Sequence, residues 1–89
     1  MNDALLIKEF VTYLRVERAL AATSVASYSF DMKKALSFAQ TYHQGLIHWE
    51  ASDVKEFLKR CVGEEMASSS QSRMISTLRA FFHFLVIER

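Results

Sequence analysis

Three histidines, one cysteine and a scatter of carboxylates are the side chains here that could make or break bonds, and their spacing argues against it. His43, His48 and His83 include no pair at i, i+4, the spacing that puts two metal ligands on one helix face. Cys61 stands alone on an apolar stripe, and Tyr13, Tyr28 and Tyr42 fall at or near such stripes, as packing residues do. No glycine-rich phosphate cradle and no Gly-x-Ser-x-Gly nucleophile turn occurs. Carboxylates lie on solvated faces, several four residues from a base, as Glu56 is from Arg60. Neither catalysis nor a metal or cofactor site is expected.

Two polar faces differ from an ordinary surface. From Gln71 to Ile87 there is no carboxylate, and helical projection gathers Ser72, Arg73, Ser76, Ala80 and His83 opposite the apolar stripe, with Arg79 at its edge. An earlier segment presents Thr23, Ala26, Ser27, Phe30, Lys34 and Ser37 in the same way, with Asp31 off to the side. Short hydroxyl side chains allow close approach to a phosphate backbone, and arginine supplies charge with paired donors. Arg73 and Arg79 stand roughly 120° apart with about 9 Å of rise between them. Arg79, at the edge, is the better placed of the two to pair with a neighbouring helix. The rival reading of both faces is a solvated surface on a helical protein-interaction module.

Four helices would position these residues. The first runs from about Asp3 to Arg18, with Leu6, Phe10, Val11 and Leu14 inward. The second, capped by Thr23 or Ser24, extends to about Tyr42 over a stripe of Val25, Tyr28, Met32, Ala35, Leu36 and Ala39. Gly45 is its natural left-handed terminator. Leu46, Ile47 and Trp49 then form a short extended plug. Asp53 and Glu56, spaced as a capping box, open a third helix carrying Val54, Phe57, Leu58 and Cys61, and Gly63 closes it. A polar loop from Glu64 leads to a fourth helix starting within Ser68–Ser70, with Met74, Ile75, Leu78, Phe81, Phe82 and Leu85 as its stripe.

Composition agrees with an all-α, compact four-helix bundle. Eighty-nine residues suit one domain, and no proline with only two glycines leaves too few breakers for a many-turned β-sandwich. The apolar share of 51% supplies a modest core without metal or disulfide, and a lone cysteine fits a reducing compartment. No apolar run reaches the ~18 residues of a membrane span. A net charge of +1 neither demands nor excludes nucleic acid.

The order of these residues resembles a known family. Ser70-Gln71-Ser72-Arg73-Met74-Ile75-Ser76-Thr77-Leu78-Arg79, continued by Phe81, Phe82 and Leu85, looks like the last helix of the core-binding domain of tyrosine site-specific recombinases of the Xer and phage-integrase type. Leu20, Ser24, Tyr28, Asp31 and Met32, followed by Leu36 and Phe38, resemble that family's Leu-x-x-x-Thr-x-x-x-Tyr-x-x-Asp-Leu pattern. Phe10-x-x-Tyr13-Leu14 and the segment from Ile47 to Leu58 match in order and spacing.

The resemblance implies a SAM-like, DNA-binding N-terminal domain over residues 1–89. Its second and fourth helices would face the major groove of duplex DNA. The contacts it carries over are Ser24, Ser27, Lys34, Arg73, Ser76 and Arg79, with Tyr28, Met32, Leu78 and Phe82 as core. Ser29 and Phe30 stand where the family often has a basic residue. Family catalysis uses two arginines, a lysine, histidines and a nucleophilic tyrosine in a C-terminal domain. Here no His-x-x-Arg occurs, since Leu46, Ala51 and Val86 follow the three histidines at that spacing. The chain therefore reads as the non-catalytic part of a cytoplasmic bacterial or mobile-element enzyme, with the DNA site and other protomers as partners.

Overall fold

The computed structural model describes residues 2–42 and 44–88, with backbone alone for Glu88. His43, weighed above as a metal ligand, lies outside them. Among the described residues there are four α-helices and no strand: α1 (Asp3–Val16), α2 (Ala22–Thr41), α3 (Ala51–Gly63) and α4 (Ser68–Glu88), with one 3-10 turn, Leu46–His48, between α2 and α3. The all-α bundle read from the pattern is what forms. None of these helices is long and apolar enough to cross a membrane.

The helix ends differ from the sequence expectation in an informative way. Asn2 caps α1, its side chain accepting from the N–H groups of Ala4 and Leu5 at 2.8 and 3.3 Å. Ala21, not Thr23 or Ser24, is the N-cap of α2, and it gives no side-chain cap; both hydroxyl residues sit inside the first turn. Gly45 is not a left-handed terminator, because its φ of −62° starts the 3-10 turn instead. The left-handed positions fall on Ala19 and Glu65, at φ 50° and 61°. Each turns the chain sharply after a helix so that the next residue, Leu20 or Met66, packs against the core. The capping acid of α3 is Asp53, but it sits inside the helix and accepts the N–H of Glu50 at 2.8 Å. The expected start was therefore three residues late.

The expected extended plug is a 3-10 turn that buries Leu46 completely and leaves Ile47 exposed. Leu46 donates its N–H to Asp3 Oδ2 at 3.0 Å, tying the turn to the start of α1. The main core joins Leu6, Phe10 and Leu14 of α1 to Met32 and Ala35 of α2 and to Met74 and Phe81 of α4. Phe10 meets Phe81 edge to face at 5.3 Å, a favoured aromatic geometry. A second aromatic cluster, Phe38, Trp49 and Phe57, fills the other end of α2, with the Arg60 guanidinium over Phe38 at 5.6 Å. Arg60 also donates to the Tyr42 hydroxyl.

On α4 the buried set is Met74, Thr77, Leu78, Phe81 and Phe84. The expected stripe counted Ile75, Phe82 and Leu85 instead of Thr77 and Phe84. Ile75 is exposed, and the other two are half-buried. At 100° per residue the true inward direction is rotated by about 60° from the expected one. That rotation decides which arginine faces outward.

Candidate nucleic-acid interface

α2 packs along α4, and Asp31 of α2 meets Arg73 and Thr77 of α4 across that seam. At its centre Asp31 is buried, 1% exposed, and receives two hydrogen bonds from Arg73: Nε donates to Oδ2 and Nη2 to Oδ1, both at 2.8 Å. The planar guanidinium thus meets the carboxylate in the paired geometry for which arginine is suited. Thr77, fully buried, places Oγ1 2.9 Å from both Asp31 Oδ2 and the Arg73 carbonyl, so its single hydroxyl proton serves either acceptor. Hydrogen bonding to Asp31 and its negative charge raise the Arg73 pKa further above its already high ordinary value. The buried carboxylate is therefore paired and hydrogen-bonded, as burial of a charge requires.

This arrangement corrects the expectation for the two arginines. Arg73 is the one paired across the seam. Arg79 is exposed, and among the described residues it has no ion pair or hydrogen bond. The 60° rotation of α4 moves Arg73 to the flank beside α2 and turns Arg79 away from the core. Asp31, read as a side residue of a polar face, is the most buried charge of the core.

Of the other expected contacts, Ser24 and Ser76 are exposed and Ser27 is half-buried. Lys34 is engaged: its Nζ donates to Oε1 of Glu64, the residue that ends α3, at 2.9 Å. That hydrogen bond raises the Lys34 pKa and holds the Glu64 carboxyl below its usual range. Phe30 stands 64% exposed amid these small residues. Tyr28 and Phe82, carried over as core, are half-buried against it, while Met32 and Leu78 are fully inside.

Sequence reasoning missed Asp31 and Thr77 as members of the site. One signal was available: Asp31 immediately precedes core Met32, and Thr77 lies one turn beyond Arg73. Polar residues at such positions become partners when two helices meet face to face.

The opposite flank of α4 is apolar and open. Ile75, Leu78 and Phe82 with Val54 and Leu58 of α3 line a groove of about 530 Å³, with Lys55 and Arg79 on its rim. A docking module would carry an apolar groove on the acid-free face itself. Such a groove exists, but beside that face.

A helical bundle whose polar seam joins its second and last helices defines a class of small all-α domain. A family model described as the N-terminal SAM-like domain of phage integrase matches residues 7–89. The chain belongs to that family. It is similar to the tyrosine recombinases XerD of Lacticaseibacillus casei (37% identical over 93% of this chain), Listeria monocytogenes (35% over 97%) and Rhizobium meliloti (34% over 97%). The chain spans only 28–29% of the length of these three relatives, so most of each has no counterpart here. No solved structure matches it.

Proposed function

We propose that residues 1–89 form the DNA-binding, core-binding domain of a tyrosine recombinase or integrase, an enzyme that cuts and rejoins DNA at specific sites. The observation that carries this reading is the outer face of α4. It is free of carboxylate from Gln71 to Ile87 and offers Ser72, Ser76 and Arg79, the last without a partner among the described residues. Small hydroxyl groups let the helix approach a groove, and Arg79 supplies the free charge. Ser24, Ser27 and Lys34 extend the surface along α2. The strand chemistry belongs to residues outside this chain, and other protomers on the same DNA are the natural partners. A cytoplasmic location follows from that role.

With net charge +1, the isolated domain should bind duplex DNA at ~10⁻⁴–10⁻⁶ M near physiological salt and weaken as salt rises. Anisotropy of a labelled duplex at two salt concentrations tests this. Arg79→Ala should lower the salt slope by about one. No strand cleavage or covalent adduct is expected. The apolar groove beside Arg79 supports a second reading, a helical protein-interaction module without nucleic acid. Loss of all salt-sensitive binding would put that reading ahead.

A further inference from the structure

We propose that Asp31 and Thr77 are positioning residues, which hold the Arg73 guanidinium at the α2–α4 seam as a donor for a backbone phosphate rather than for a base. The proposal rests on the DNA-binding reading and deepens it at one point of the same surface.

Arg73 uses Nε–H and one N–H of Nη2 on Asp31. A guanidinium carries five N–H donors, so both hydrogens of Nη1 and one of Nη2 remain. Its side chain is 36% exposed, so the free end reaches solvent while the Asp31 end does not. The two carboxylate bonds and the helix–helix packing fix the plane of the group. A free arginine would lose several rotamers on binding, whereas this one has lost them already.

Retraction into the seam also sets the target. A base edge lies at the floor of a groove, beyond reach of a guanidinium held between two helices. Phosphates stand on the ridges and come to the protein surface. Lys34, one turn along α2, makes only a single hydrogen bond to the exposed Glu64 at the end of α3, so it is held less firmly than Arg73. Arg79, exposed and without an ion pair or hydrogen bond among the described residues, is the contrast.

Asp31→Asn tests this by sign. It removes a negative charge from beside the DNA surface, so electrostatics alone predicts tighter binding. Loss of positioning predicts weaker binding, by about tenfold, the worth of one charge-assisted hydrogen bond. The experiment titrates a labelled mixed-sequence duplex with the parent chain, Asp31→Asn, Arg73→Gln and the double variant. Helicity is checked by circular dichroism.

Weaker binding by Asp31→Asn, with no further loss when Arg73→Gln is added, is the expected result. A merely structural pair would change the melting temperature and leave affinity untouched once folded. Equal or tighter binding by a folded Asp31→Asn chain overturns the proposal and leaves the DNA reading standing. A parent chain that shows no salt-sensitive binding overturns the DNA reading, and the proposal with it. Should Asp31→Asn lose its helical signal, Thr77→Val takes its place. It keeps both charges but removes the hydroxyl beside Asp31, and about threefold weaker binding is expected. Unchanged affinity there counts against the positioning role.

Discussion

The two flanks of α4 solve opposite problems. Toward α2 the helix presents Arg73 and Thr77, which are polar, and that flank is closed by the buried Asp31 carboxylate. Toward α3 it presents Ile75 and Phe82, which are apolar, and that flank is left open as a groove with a basic rim. Hydrophobicity alone would predict the reverse. A buried charge must find every partner or be excluded, so the polar flank has one permitted geometry. Apolar side chains tolerate partial exposure at modest cost, so nothing forces the other flank shut. The polar seam therefore sets the register of α2 against α4, and the apolar flank adapts to it.

Four measurements put the contrast between the flanks to the test. The largest effect belongs to the core that both flanks share. Phe81→Ala removes a fully buried ring touching Phe10, Phe82 and Phe84 and should cost about 3–5 kcal/mol in chemical denaturation. On the polar flank, Arg73→Met leaves Asp31 buried without its cation and should cost about 2–3 kcal/mol. Asp31→Asn should cost less, because the half-exposed Arg73 can return to water. A melt that ranks those two the other way would show that the carboxylate is not the constrained partner.

The third effect is a pH dependence. Burial pushes the Cys61 thiol above its ordinary value of 9.0. Above about pH 9 the unfolded thiol ionises while the folded one keeps its proton, so stability falls as pH rises. The slope cannot exceed about 1.4 kcal/mol per pH unit, the limit for one proton, and well below pH 9 the group contributes none. Between pH 9 and 10 the Lys34 ammonium is still charged, since its pairing raises it above 10.5. Cys61→Ala should therefore flatten this window; an unchanged slope would assign it to another group. The smallest effect is on the open surface, where Ser76→Ala should change stability by under about 0.5 kcal/mol. A larger loss there would mean that the outer face is covered.

Legibility in the sequence followed the kind of interaction. The α-helical period of Leu6, Phe10 and Leu14, and of Met74, Leu78 and Phe81, survives any tertiary arrangement, so four helices could be read directly. Ala19 and Glu65 could not be read as left-handed turns, because glycine is the residue that usually marks them. Packing of Leu20 and Met66 against the core makes up for the strain. On α4 the sequence stripe passes over Thr77 and Phe84 and includes Ile75, which the structure leaves exposed. Hydropathy ranks a threonine below an isoleucine, whatever acid the threonine meets.

The fold class, the family resemblance and the lack of acid from Gln71 to Ile87 were legible in the chain alone. These depend on residue types and spacing along one chain. It took the folded arrangement to show that Arg73 is held and that Arg79 has no partner among the described residues. That choice turns on an acid 42 residues away on another helix. A charge in the core is placed by its partner, and partners so far apart meet only when the chain has folded.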